Sequence, residues 1–293
     1  ARKTMLRCAD EGISLLLPGD ADWPGAFRTL YAPPLALYLR GDRAILSRPM
    51  TTLIGTRFPT ARGMLLASEL AAILVSKKEC IVSGGAYGID SAAHAGALEA
   101  GGQTLAVLGG GLDRLYPAHN RLLFGRIAES GALVSEYPPG TPATAWRFPV
   151  RNRLVAALGN ELIVVQAPVR SGTHTTVVEA LAIGKDVHVC LWPPECPAGA
   201  GCLRLAGLGA GVIIDGSELL GAETGYSQLE IPLSGENEER ILAAIRCGFL
   251  SLDALVDACR MPVEQVMTLC MRLELEGRIR RFGSQGYGLT RVA

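Results

Sequence analysis

The stretch "CIVSGGAYGIDSAAHAG", residues 80–96, decides the fold, because a glycine-rich turn joins a short apolar run to an alanine-rich segment. The apolar run predicts a buried strand, and the alanine-rich segment has the apolar spacing of a helix. The same alternation continues from residue 51 to about residue 216, which predicts an α/β fold with a doubly wound, mostly parallel sheet. The predicted strands are 51–55, 80–83, 103–108, 132–137, 161–167, 186–191 and 211–215.

Composition agrees with this fold class and excludes several kinds of protein. Hydrophobic residues make up 49% of the 293 residues and charged residues 19%, a balance typical of sheets buried on both faces. Lys plus Arg and Asp plus Glu both number 28, so any anion site must be local rather than a property of the whole surface. The eight cysteines contain no C-x-x-C pair, which indicates buried thiols rather than a metal site. No apolar run approaches the ~20 residues of a membrane helix, and the start lacks a signal pattern, so we expect a cytoplasmic protein.

Changes in composition predict the domain organisation. Residues 1–50 are rich in Pro and aromatic side chains and indicate a lead-in packed on the edge of the main domain. Residues 51–222 form the predicted Rossmann-like domain, and residues 223–236 a polar linker. Residues 237–293 contain three helical periods and a hairpin around residues 283–286, which predicts a small winged-helix domain.

The segments that follow the predicted strands indicate where a ligand binds. In an open parallel sheet this is the edge formed by the carboxyl ends of the strands. The segments there are "GTR" (55–57), "SGGAYGID" (83–90), "GGGLDRLYPAHN" (109–120), "PPG" (138–140) and "PVRSGTHTT" (168–176). Glycines let the backbone approach a phosphate, and N–H groups at a helix start hold its charge. Tight turns alone also require glycine, but two such turns together with an arginine favour anion binding.

The glycine spacing limits which phosphate-containing ligands the site can bind. No G-x-x-x-x-G-K-[ST] loop is present, and the spacing of Gly84, Gly85 and Gly88 does not match G-x-G-x-x-G. We therefore predict neither a bound NAD nor a bound ATP cofactor.

The segment "WRFPVRNRLVAALG", residues 146–159, adds arginines beside aromatic side chains. Arg147, Arg151 and Arg153 alternate with Trp146 and Phe148 around the predicted start of a helix. Arginine suits phosphate, and an aromatic ring can stack on an unpaired base. A core phenylalanine flanked by solvated arginines is the structural alternative. Together with the two glycine turns, the segment favours a run of phosphates over a single one.

These motifs resemble, in order, those of the bacterial DNA-processing proteins of the DprA (Smf) family. The matching segments are "IGTR", "SGGAYGIDSAAHAGAL", "GGGLDRLYPAHNRLL", "SEYPPG", "FPVRNRLVAAL" and "SGTHTTVVEALAIGKDV". The resemblance implies a homodimeric protein of natural transformation that binds single-stranded DNA, protects incoming strands and loads a RecA-type recombinase. It implies no catalytic residue, no metal and no cofactor. It also makes residues 1–50 a remnant of the family's N-terminal helical module.

The matching motifs imply which residues of this sequence bind DNA. It implies that DNA is bound by Arg57, Ser83, Gly84, Gly88, Phe148, Arg151, Asn152, Gly172, Thr173 and Lys185. For Asp90 and Arg153 a structural role stays open, as a helix N-terminal charge or a partner in an internal ion pair.

Two other functions compete with this one. The same kind of domain resembles nucleotide phosphoribohydrolases of the LOG group, for which Arg170, the Gly172–Thr173 pair and Glu179 would form the phosphate loop and the catalytic carboxylate. A transcriptional regulator would instead sense a small ligand in the main domain and read duplex DNA with the tail. The tail carries both arginines and glutamates, so its partner, duplex DNA or protein, stays open.

Overall fold

The computed structural model describes residues 2–193, 195–214, 216, 219, 237–246, 252–259, 261–281 and 287–289. These residues form a large sheet flanked by helices and a separate small sheet with three helices of its own. The fold class predicted from the sequence is confirmed.

The strands of the large sheet include all seven predicted ones, with ends within two residues of those expected. Two further strands come from the lead-in. The bounds are β1 (Ser14–Leu16), β2 (Leu37–Gly41), β3 (Met50–Gly55), β4 (Cys80–Ser83), β5 (Thr104–Val107), β6 (Ala132–Ser135), β7 (Glu161–Gln166), β8 (Asp186–Cys190) and β9 (Gly211–Ile213).

The helices lie between these strands and in the tail. They are α1 (Arg2–Asp10), α2 (Ala61–Ser76), α3 (Ile89–Glu99), α4 (Arg121–Ser130), α5 (Arg147–Leu158), α6 (Thr173–Ala182), α7 (Ala200–Ala206), α8 (Asn237–Arg246), α9 (Leu252–Cys259) and α10 (Val263–Leu275). Thr60 caps the start of α2, because its hydroxyl accepts a hydrogen bond from the Gly63 amide at 3.0 Å. No helix of the described residues is long and apolar enough to span a membrane.

The order of the strands creates one switch point. The order is β1-β2-β6-β5-β4-β3-β7-β8-β9, and β3 to β9 are parallel. From β3 the chain winds outward through β4, β5 and β6, then returns to place β7 on the other side of β3. The loops after β3 and β7 therefore diverge and leave a crevice between them.

The lead-in packs on one edge of this sheet, as predicted. β2 pairs with β6 and β1 pairs with β2, both antiparallel. The strands of the sheet centre are buried along their whole length, which explains their continuous apolar runs. The cysteines of the described residues are free thiols, most of them buried.

The tail has the predicted three helices and a two-stranded hairpin. Strands β10 (Ile279–Arg281) and β11 (Tyr287–Leu289) pair antiparallel, and Ile241, Leu255 and Val266 belong to a core separate from that of the large sheet. The predicted hairpin turn at 283–286 and the linker at 223–236 lie outside the described residues.

Candidate functional site

A cavity of about 650 Å³ opens at the switch point, at the carboxyl edge of the sheet. Its walls come from the loops after β3, β4, β5 and β7 and from the first turns of α5 and α6. Seven of the ten residues in the predicted set line it: Arg57, Gly84, Phe148, Arg151, Asn152, Gly172 and Thr173. Residues that lie far apart in the sequence are thus brought to one place by the strand order.

An arginine and two aromatic rings form one wall of the cavity. The Arg57 guanidinium lies 5.5 Å from the centre of the Phe148 ring, and the Tyr116 ring lies 5.7 Å from Phe148 on a tilted plane. Arg57 and Tyr116 are exposed, whereas Phe148 is half-buried. Among the described residues, no carboxylate lies within ion-pair distance of Arg57. Its charge and the two ring faces are therefore available to a ligand.

In the turn after β4, positions 84 and 88 require glycine for steric reasons. A β-carbon at Gly84 would lie 2.7 Å from the Arg151 guanidinium and 2.8 Å from the Asp90 carboxylate. Gly88 has φ +79°, a conformation that L side chains rarely adopt. The turn therefore brings backbone close to the cavity, as a phosphate site requires.

Arg151 and Asp90 lie beneath this turn and hold it. Arg151 is buried and donates hydrogen bonds to the carbonyl oxygens of Gly84 and Val107, while the Asp90 carboxylate accepts one from the Ala86 amide at 3.2 Å. Burial lowers the pKa of Arg151 to about 10 and raises the pKa of Asp90, in each case because the charged form loses solvation. Asp90 therefore has a structural role in the turn, which the sequence left open, and Arg151 supports the turn from below as well as lining the cavity.

The second glycine turn, after β7, forms the opposite wall. The Ser171 hydroxyl accepts a hydrogen bond from the Thr173 amide at 3.1 Å, and the Asn152 amide donates to the Thr175 hydroxyl at 2.8 Å. The second of these bonds ties the start of α6 to α5. Arg170, on the same turn, adds a second exposed guanidinium to the lining.

Three residues of the predicted set lie outside the cavity lining. The Ser83 hydroxyl is buried and donates to the Leu53 carbonyl at 2.6 Å, and Gly88 contributes its backbone conformation. Lys185 immediately precedes β8, so it lies at the amino edge of the sheet, opposite the cavity. Arg153 forms the internal ion pair that was the structural alternative, with Glu136 at 2.6 Å, which raises the pKa of Arg153.

Sequence reasoning missed Tyr116 as a member of the site. Its loop follows β5 and was recognised as a strand-end segment, but only the fold shows that this tyrosine faces Phe148. Arg147 was recognised as basic, and the structure stacks it 4.8 Å from Trp146 and 5.0 Å from Tyr137.

The candidate carboxylate for hydrolysis is not part of the cavity lining. Glu179 lies near the middle of α6, beyond the turn that holds Thr173 and Thr176 against the cavity. The buried Asp90 is engaged by the turn after β4. Asp90 does line the cavity, but Glu179, the carboxylate that the hydrolase interpretation requires, does not.

Comparison with known proteins gives two family matches. The family model described as DNA recombination-mediator protein A matches residues 14–223, and that described as DprA winged helix domain matches residues 228–283. A putative DNA processing protein DprA from Mycobacterium tuberculosis is 39% identical over 240 residues, covering 75% of this chain and 62% of that protein. The DNA processing protein DprA of Bacillus subtilis is 35% identical over 205 residues, covering 70% and 69%. The chain thus spans less than two thirds of the length of the mycobacterial relative.

Two solved structures are similar to this chain in both fold and sequence. The X-ray structure of DprA from Streptococcus pneumoniae matches with a TM-score of 0.69 and 32% identity, covering 74% of this chain and 77% of that one. DprA from Helicobacter pylori matches with a TM-score of 0.65 and 32% identity, covering 71% and 94%. The description of the latter structure concerns its single-stranded DNA binding mode.

Proposed function

This chain belongs to the DprA family of DNA-processing proteins, and from that premise we propose that it binds single-stranded DNA across the carboxyl edge of its sheet. The observation that carries the proposal is the Arg57–Phe148–Tyr116 wall of the cavity. A guanidinium supplies charge for a phosphate, and ring faces supply stacking for bases.

The geometry favours a single strand over a duplex. Bases in a duplex are already stacked and present only their edges in the grooves. The half-buried ring of Phe148 inside a cavity can be reached only by a base that has left its stack. The two glycine turns then receive the phosphates on either side of such a base. Lys185 is left out of the proposed contact set because of its place at the amino edge.

The binding test is a salt series with fluorescent single-stranded and duplex oligonucleotides. For a single strand, log affinity falls with log salt concentration by about 0.7 per phosphate neutralised. We expect a strong single-strand preference and a shallower slope for Arg57→Ala. The matched control is Arg126→Ala, which removes an exposed charge on α4 outside the cavity lining and should leave the slope unchanged.

Weak binding with no preference for single-stranded over duplex oligonucleotides would contradict the proposal. The nucleotide phosphoribohydrolase would then be tested next, by measuring base or phosphoribose released from nucleoside monophosphates. The regulator predicts instead that one duplex sequence competes far better than others, which the same assay detects.

For the wider role we propose what membership of the family supports. The protein protects incoming strands in the cytoplasm during natural transformation and loads a RecA-type recombinase on them, without catalysis, metal or cofactor. Faster RecA filament assembly on strands coated with single-strand-binding protein is the expected readout, and no acceleration contradicts this part.

The assembly is a homodimer through the Rossmann-like domain. Light scattering at micromolar concentration should give twice the mass of the chain. A monomer under those conditions contradicts the dimer and leaves the binding site in place.

A further inference from the structure

A second pair of rings lies just outside the cavity. Tyr87 follows β4 and His119 follows β5, and their ring centres are 5.9 Å apart at an angle of 47°. Tyr87 is 43% exposed, and His119 is exposed as well. Neither ring lines the cavity at the switch point.

The pair continues the same surface. Ala86 lines the cavity and Tyr87 is the next residue; Tyr116 lines it and His119 is three residues further on. A strand that leaves the cavity on the β4 and β5 side of the sheet therefore meets these rings next.

The two loops that carry the rings are tied together by one buried side chain. The Asn120 amide group donates hydrogen bonds to the Gly85 carbonyl at 3.1 Å, the Ala86 carbonyl at 3.3 Å and the Ser91 hydroxyl at 2.8 Å. These bonds fix the backbone directly before Tyr87 to the residue directly after His119. The backbone next to both rings is thus fixed before any ligand arrives, which reduces the entropy lost on binding.

The charges around the pair suit a phosphate chain. The loop after β5 carries one carboxylate, Asp113, which is bound by Arg7 at 2.9 Å and has a side chain only 2% exposed. Arg114 of this loop and Arg121 at the start of α4 are exposed and basic.

We propose that Tyr87 and His119 form a second stacking subsite for a base of single-stranded DNA, adjoining the cavity and reached only by longer strands. The inference rests on the proposed function and adds to it a direction for the strand, from the switch point toward β5. The contact is made by ring faces, so it adds affinity without adding to the salt dependence.

The test compares Tyr87→Ala with the unchanged protein on oligothymidylates of about 4 and about 16 nucleotides, the range of site sizes for single-strand binding surfaces. Affinity for the longer strand should fall about fivefold, the lower end for loss of one stacked base, with the salt slope unchanged. Affinity for the shorter strand, which fills the cavity alone, should not change. Tyr87→Phe should restore the longer-strand affinity, and Tyr31→Ala, which removes an exposed tyrosine elsewhere, should have no effect.

The other possible results of this test contradict the proposed second subsite. If Tyr87→Ala changes neither affinity while Arg57→Ala weakens both, the cavity binds DNA and the second pair does not. If Tyr87→Ala weakens both lengths equally, Tyr87 supports the turn and is not a separate contact. His119→Ala repeats the test should Tyr87→Ala fold poorly. If the unchanged protein binds no single strand, the proposed function fails as well.

Discussion

The cavity at the switch point carries arginines, and so do α10 and the residues just after it, but those arginines have different surroundings. Arg57 lies over an aromatic ring with no carboxylate within ion-pair distance among the described residues. Arg272 forms ion pairs with Glu276 at 3.2 Å and with Glu238, and Arg278 contacts Glu238 at 3.4 Å. The number of arginines in a segment therefore does not locate a phosphate site.

The difference matters because a paired guanidinium must lose its partner before it binds a phosphate. An exposed pair contributes little stability, yet its carboxylate also repels a DNA backbone. Beside ring faces the cavity offers Arg57, which forms no ion pair among the described residues, whereas Arg272 of α10 is already paired. We therefore expect single-strand affinity to depend on the cavity and hardly at all on α10.

The largest expected loss follows Arg57→Ala. A hydrogen bond to a charged group contributes about 1.5–3 kcal/mol, so single-strand affinity should fall at least tenfold. Titrations of labelled oligonucleotide by fluorescence anisotropy measure this directly. Affinity within twofold of the unchanged protein would show that the cavity wall is not the phosphate contact.

Acid should destabilise the sheet domain through His94, a buried residue of α3. Burial, and secondarily the charge of Arg151, lowers the pKa of His94 from 6.5 to about 3. In the unfolded chain His94 takes up a proton near pH 6.5, whereas in the folded chain it stays neutral down to about pH 3. The free energy of unfolding therefore falls as the pH drops from about 6.5 towards 3. The loss should reach about 2 kcal/mol near pH 5.

Tryptophan fluorescence during urea unfolding measures this loss in the sheet domain, because the three tryptophans, Trp23, Trp146 and Trp192, all lie there. His94→Asn keeps a polar group beside the Thr104 hydroxyl, which lies 2.6 Å from the His94 ring. That variant should lose about 2 kcal/mol less than the unchanged protein between neutral pH and about pH 5. Equal losses in the two proteins would mean that His94 does not control the acid response.

Phe148→Ala should weaken single-strand binding by about 1–2 kcal/mol, because one stacked base is lost. The slope of affinity against salt should stay unchanged, in contrast to Arg57→Ala, since a ring carries no charge. Phe148→Trp should retain the affinity. A change of slope in Phe148→Ala would indicate that the ring acts by positioning Arg57.

The smallest effect is expected on α10. Arg272→Ala should change single-strand affinity by less than about 0.5 kcal/mol, because its charge is already paired on the surface. A loss as large as that of Arg57→Ala would reverse the comparison between the two regions.

The sequence predicted the central sheet well and its edge poorly. The strands β3 to β9 are buried apolar runs, whose signal is local. The strands β1 and β2 are short and lie among prolines. Their conformation depends on the pairing of β2 with β6 and of β1 with β2, which no local pattern indicates. The sequence analysis omitted β1 and β2 because these two strands form only through their pairing in the folded protein.

The site shows the same limit. Arg57 and the glycine turns were predicted because every strand end of a parallel sheet points to one edge. Tyr116 depends on its distance to Phe148, and the burial of Arg151 depends on the turn above it; neither is encoded locally. Lys185 enters the predicted set by resemblance alone, and its position before β8 places it at the other edge.

The most direct test of the account is photochemical cross-linking of the protein to an oligothymidylate, followed by mass spectrometry of the attached peptides. The account predicts adducts on the segments that carry Phe148 and Tyr116, and their loss in Phe148→Ala or under a competing single strand. Adducts confined to α10, or to the amino edge around Lys185, would contradict it.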